Sequence, residues 1–161
     1  MVSYMGIFFD EEQSELIKSL QATNLETVND MLHCTFKYRP TSSEIRNMDE
    51  IVGQEVDVFL IGYGCNGKNS GFEIAFDEYY DSYYVNYDTK LDSDGKQILK
   101  TKHITASLAY DARAVDTKDL DFVKLAEPVK VTGKFGYWIA GKNIKPYLSF
   151  EKVFGEPSKT L

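Results

Sequence analysis

The chain has 161 residues, a formal net charge of −7, 43% hydrophobic residues and 14% aromatic ones, enough for one packed domain over residues 1–161 and too apolar for a disordered chain. Acidic and basic residues are interspersed with no basic tract, which argues against electrostatic binding of long nucleic acid. No apolar run approaches the ~20 residues that cross a bilayer, and the start MVSYMGIFFDEEQ lacks a basic-then-apolar leader, so the expectation is a cytosolic protein with no membrane association.

In chain order, SYMGIFF reads as a short strand. Asp10 then reads as a helix N-cap with Gln13 three residues on, and Leu16, Ile17 and Leu20 give residues 10–21 one apolar stripe. Residues 31–38, MLHCTFKY, alternate: Leu32, Cys34, Phe36 and Tyr38 face one side, His33, Thr35 and Lys37 the other. Cys34 on the apolar side is expected to be a buried free thiol, with no disulfide to Cys65. Pro40 ends the strand. Thr41 to Glu44 has the spacing of a capping box, and Ile45, Met48, Ile51 and Val52 suit a second short helix before Gly53.

A strand follows in VDVFLIGY. The glycines of GYGCNG match a dinucleotide-binding loop in spacing, but the next segment, GFEIAF, alternates like a strand where that loop needs a helix. Asn66-Gly67 therefore reads as a hairpin turn. Residues 78–101 hold five tyrosines, Tyr79, Tyr80, Tyr83, Tyr84 and Tyr87, and a turn at Asp94-Gly95. With few aliphatics they read as a tyrosine-rich strand and a long excursion that walls the site. In KHITASLAY, Ile104, Ala106 and Leu108 alternate against His103, Thr105 and Ser107. The last third reads as two strands, VKVTGKFGYWI and PYLSFEKVF, turning at 141–143. The whole is an α+β pattern, mostly antiparallel with few helices.

His33 and His103 are the only histidines, and each begins a His-x-Thr triplet. Ten residues are threonine, so the chance of both triplets arising together is roughly 0.06 squared, under one per cent. In a strand, residues i and i+2 share a face, so each triplet offers an imidazole and a hydroxyl to one side while Cys34 or Ile104 faces the core. Two such strands side by side suit a phosphodiester. One imidazole takes the attacking oxygen's proton, the other supplies the leaving oxygen, and the hydroxyls donate to the non-bridging oxygens. No metal or other cofactor is needed, and no metal-ligand spacing accompanies histidines seventy residues apart.

LHCTFKY and KHITASL resemble the paired His-x-Thr/Ser motifs of the 2H phosphoesterase superfamily. SYMGIFFDEEQSELI and the tract HITASL…AVDTKDL are similar to its Swiss-army-knife RNA repair-like branch, a superfamily that includes phage anti-CBASS phosphodiesterases acting on cyclic oligonucleotide immune signals. The resemblance implies a bilobal fold with a pseudo-twofold around a central cleft and catalytic roles for His33, Thr35, His103 and Thr105. Further substrate-binding candidates are Tyr4 and Trp138 for base stacking, Lys37, with Arg39 a weaker case, for phosphate, and Ser107 and Tyr84. The expected partner is a small nucleotide, a cyclic oligonucleotide or alternatively a 2′,3′-cyclic phosphate at an RNA end. A sponge that binds nucleotide without turnover has no need of an acid and base pair.

Overall fold

The computed structural model of the protein describes residues 2–139. Within them lie β1 (Tyr4–Phe8), α1 (Glu11–Ser19), β2 (His33–Tyr38), α2 (Ser42–Met48), β3 (Glu55–Cys65), β4 (Asn69–Phe76), β5 (Tyr87–Leu91), β6 (Gln97–Leu99), β7 (His103–Leu108) and β8 (Val123–Trp138). Two six-residue 3₁₀ segments, Glu78–Tyr83 and Ala114–Asp119, join them. The second C-terminal strand expected over PYLSFEKVF lies outside the described residues.

Six strands form one sheet in the order β2-β1-β8-β3-β4-β7, every neighbour antiparallel. Its two edge strands, β2 and β7, also contact each other, so the sheet curls into a nearly closed barrel. Apolar alternation fills the inside of the curl. Cys34 and Phe36 from β2, Val56, Val58 and Leu60 from β3, Phe72 and Ile74 from β4, and Ile104 and Ala106 from β7 all point into one core with Phe135 and Tyr137 of β8. Phe36 sits at its centre, its ring 5.3 Å from Phe76, 5.2 Å from Tyr84 and 5.6 Å from Phe135. The fold is thus mixed and mostly antiparallel, as the alternation predicts.

Both helix starts are built as their sequence requires. The Gln13 N–H donates to Asp10 Oδ1 at 2.8 Å, and Thr41 and Glu44 form a reciprocal capping box. Only Ile17 of the expected α1 stripe is buried; Leu16 and Leu20 are exposed. Ser14 instead anchors the helix, donating to the Phe9 carbonyl at 3.1 Å and accepting from the Leu32 N–H at 2.9 Å. That pair of bonds fixes the end of β1 against the start of β2, one residue before His33. Gly67 and Gly95 both have positive φ at the expected hairpin turns.

The tyrosine-rich segment departs from expectation. It forms the 3₁₀ turn Glu78–Tyr83, which points Tyr83 and Tyr84 inward; Tyr80 lies 4.8 Å from Phe135, and the Tyr83 hydroxyl donates to Glu50 at 2.8 Å. Tyrosine can be buried when its hydroxyl finds a partner, so these rings replace the missing aliphatics as core. Tyr79, on the 3₁₀ turn, and Tyr87, on the β5–β6 hairpin, stay exposed. Among the described residues no helix is long and apolar enough to cross a membrane.

Candidate active site

The two triplets occupy the two edge strands that meet where the barrel nearly closes. His33, Thr35, His103 and Thr105 are each half-buried, while their middle residues Cys34 and Ile104 are buried in the core. Burial holds the Cys34 thiol up at about 12, and the facing backbone of His103 counters part of that rise, so the triplets approach each other through their core-side residues as well. Chain segment 84–86 spans the gap: Val85 N–H donates to the Phe36 carbonyl at 3.2 Å, and the Tyr84 hydroxyl to the Lys100 carbonyl at 3.1 Å.

The backbone around the triplets repeats. On β1, Phe8 pairs with His33 and Gly6 with Thr35; the register then skips Phe36, so that Met5 pairs with Lys37. On β4, Glu73 pairs with His103 and Gly71 with Thr105; the register skips Ala106, so that Ser70 pairs with Ser107. Each motif strand therefore bulges one residue after its threonine, opposite a glycine. Both glycines are required: a Cβ on Gly6 would run into the carbonyl oxygen of Cys34, and one on Gly71 into that of Ile104. Bulges of this kind re-aim side chains beside functional sites.

The two halves differ in what surrounds each imidazole. His33 lies in an aromatic stack, 4.7 Å from Tyr4 and 5.8 Å from Phe8, and Tyr4 in turn lies 6.1 Å from Trp138 with their planes 10° apart. Burial first, and then the charge of His103, push the His33 imidazole down to about 4. His103 sits among polar groups, its Nδ1 2.7 Å from the Thr101 carbonyl. That bond fixes Nδ1 as the donor and leaves Nε2 for a substrate. Burial lowers the His103 pKa, the Thr101 carbonyl and Asp119 oppose this, and Lys100 and Lys118 add to it.

The hydroxyls differ too. Thr105 Oγ1 is turned toward the 3₁₀ segment, 2.8 Å from Thr117 Oγ1 and 3.2 Å from the Ala114 carbonyl; Thr117 Oγ1 also accepts from Asn69 Nδ2 at 3.0 Å. The Thr35 hydroxyl makes no hydrogen bond among the described residues.

Of the other expected residues, Tyr4 stacks on His33 and Trp138 on Tyr4, and Lys37 is half-buried on β2 with no ion pair among the described residues. Arg39 lies at positive φ over the Tyr38 ring. Two expectations are corrected. Tyr84 is 2% exposed, its ring edge-on to Phe36 in the core, where no base can reach it. Ser107 is buried, donating to Gln21 Oε1 at 2.6 Å and accepting from the Leu25 N–H at 3.0 Å, so its hydroxyl ties down the α1–β2 connection.

Residues the sequence reading missed are Phe8, Gly6, Gly71, Thr117, Lys118 and Asp119. All but Gly71 lie in tracts that carry the family resemblance, Gly6 and Phe8 in SYMGIFFDEEQSELI and the last three in AVDTKDL. Among the described residues no three His, Cys, Asp or Glu side chains converge as a metal site. A separate surface cavity beside Glu55, Asp57, Phe59, Asp77 and Tyr80 contains no triplet residue, and its acidic rim is unsuited to phosphate. No protein-family model matches the chain, and no curated protein matches it.

Proposed function

We propose that the protein is a phosphodiesterase of the 2H phosphoesterase kind, acting on a small nucleotide by paired-histidine acid and base catalysis without metal. The observation that carries this reading is the repeated strand geometry: two His-x-Thr triplets, each with a bulge opposite a glycine, on strands that contact each other. The same pattern is compatible with the pseudo-twofold expected of that family. Reading inward from either edge of the sheet, a motif strand comes first and a glycine-bearing strand second.

The environments divide the work. Burial lowers both imidazoles, but only His103 has neighbours that oppose the fall, and unequal surroundings assign unequal roles. His33, held neutral by its aromatic neighbours, is the base; His103, whose Thr101 carbonyl and Asp119 favour the cation, is the acid. His33 takes the proton from the attacking hydroxyl or water, the new O–P bond forms, the old one breaks, and Nε2 of His103 protonates the departing oxygen. Thr35 donates to a non-bridging oxygen; Thr105 does so by exchanging its bond to the 3₁₀ segment for one to the charged phosphate.

Net charge −7 and the absent basic tract favour a compact ligand over long RNA, and the Tyr4–His33–Trp138 wall suits a nucleobase, which points to a cyclic oligonucleotide. The test is incubation with cyclic dinucleotides, cyclic trinucleotides and 2′,3′-cyclic nucleotides in excess EDTA, read by mass spectrometry. Linearised cyclic oligonucleotide is the expected product. Hydrolysis of 2′,3′-cyclic ends alone would move the substrate to RNA repair, and turnover lost to EDTA but restored by zinc would defeat the mechanism.

A further inference from the structure

Beside His103 stands a lysine that neither triplet contains. Lys118 lies in the 3₁₀ segment Ala114–Asp119, next to Thr117, whose hydroxyl is 2.8 Å from that of Thr105. Its side chain is only 15% exposed. The ammonium group is 3.0 Å from Asp119 and 3.4 Å from Asp88, the latter on β5 of the exposed hairpin. An ammonium this enclosed is costly without anionic partners, and here it has two. One, Asp119, is its chain neighbour and moves with it. Asp88 comes from a different element, 30 residues away in sequence, and its contact is the longer one.

We propose that Lys118 is a phosphate-binding residue of the site and that Asp88 occupies, in the free protein, the place on Lys118 that a phosphate oxygen takes in the complex. The proposal deepens the phosphodiesterase reading and rests on it for the identity of the substrate, but not for the binding of phosphate. A lysine acts here as a point charge with three donors, able to keep Asp119 while exchanging Asp88 for a more highly charged ligand. Release of Asp88 also frees the β5–β6 hairpin from the 3₁₀ segment, so occupancy of the site is transmitted to the hairpin that carries the exposed Tyr87.

The two ends of one ion pair then act with opposite sign. Inorganic phosphate is titrated into the full chain while the His103 imidazole signals are followed by NMR. Lys118→Met should weaken phosphate binding by about 10- to 100-fold, the loss of one charged hydrogen bond. Lys118→Arg should restore most of it. Asp88→Asn should tighten it by about two- to five-fold, as expected for loss of a partly exposed competing pair. Thermal midpoints confirm that each variant folds. A merely structural ion pair would leave phosphate affinity unchanged in both, and that result, or wild-type protein whose His103 signals ignore phosphate, overturns the proposal. The nucleotide panel on the same samples separates the two claims: phosphate binding through Lys118 with no turnover keeps the site and sinks the phosphodiesterase.

Discussion

The imidazole of His33 stacks on the ring of Tyr4 with centroids 4.7 Å apart and planes inclined by 26°. Tyr4 is itself held by Phe8 at 5.8 Å, so the histidine edge available to a ligand is defined by β1. Replacing Tyr4 with Leu opens the imidazole to water, and the His33 pKa should climb from about 4 back toward 6.5 in an NMR titration. An unchanged value would show that the depression comes from elsewhere.

The same depression makes stability depend on pH. A histidine whose folded pKa lies below its unfolded value of about 6.5 takes up its proton first in the unfolded chain, so acid favours unfolding. The contribution of His33 is fully present above pH 6.5 and is lost as pH falls through 6.5 toward 4. His103, also lowered, acts in the same direction. Urea unfolding at pH 7.5 and pH 5 should show wild-type protein losing more stability on acidification than His33→Gln, and equal losses would contradict the assigned burial.

Catalysis should carry the same signature. The kcat/KM profile reports the free enzyme, where both imidazoles titrate below their ordinary value, so its bell should peak on the acid side of neutral and its limbs belong to the pair. On the proposed reading the bound phosphodiester, an anion, favours both imidazolium forms, so the kcat profile should sit at higher pH. A kcat/KM maximum above pH 7.5 would contradict the structure's account of the free site.

The two threonines should respond differently. Thr35→Val removes a hydroxyl with no partner among the described residues, so stability should hold while kcat/KM falls about 10²–10³-fold. Thr105→Val also breaks the contacts to Thr117 and Ala114, and should cost about 0.5–1.5 kcal/mol of stability besides its effect on turnover. Equal stability losses would contradict the asymmetry.

Much of this site was legible in the chain. Period-two alternation placed Cys34 and Ile104 inward and both triplets outward, and the caps at Asp10 and Thr41 were written in local chemistry. Long-range choices were not. Tyr84 looked like a ligand wall because tyrosine is ambivalent; the 3₁₀ turn that buries it is a tertiary outcome. Ser107 continued the triplet face, but the bulge at Ala106 and the approach of Gln21 turned its hydroxyl to structural use. Gly6 and Gly71 were invisible as functional residues because their importance lies in a carbonyl on the neighbouring strand.

The central claim, that His33 and His103 serve one transition state, is tested most directly by kcat/KM for His33→Ala, His103→Ala and the double mutant on the best substrate of the nucleotide panel. General acid or base work is typically worth about 10²–10⁴-fold, so each single variant should fold and lose at least that. The double variant should lose far less than the product of the two, since removing either member already disables the pair. Wild-type turnover by either folded single variant, or losses that simply multiply, would contradict it.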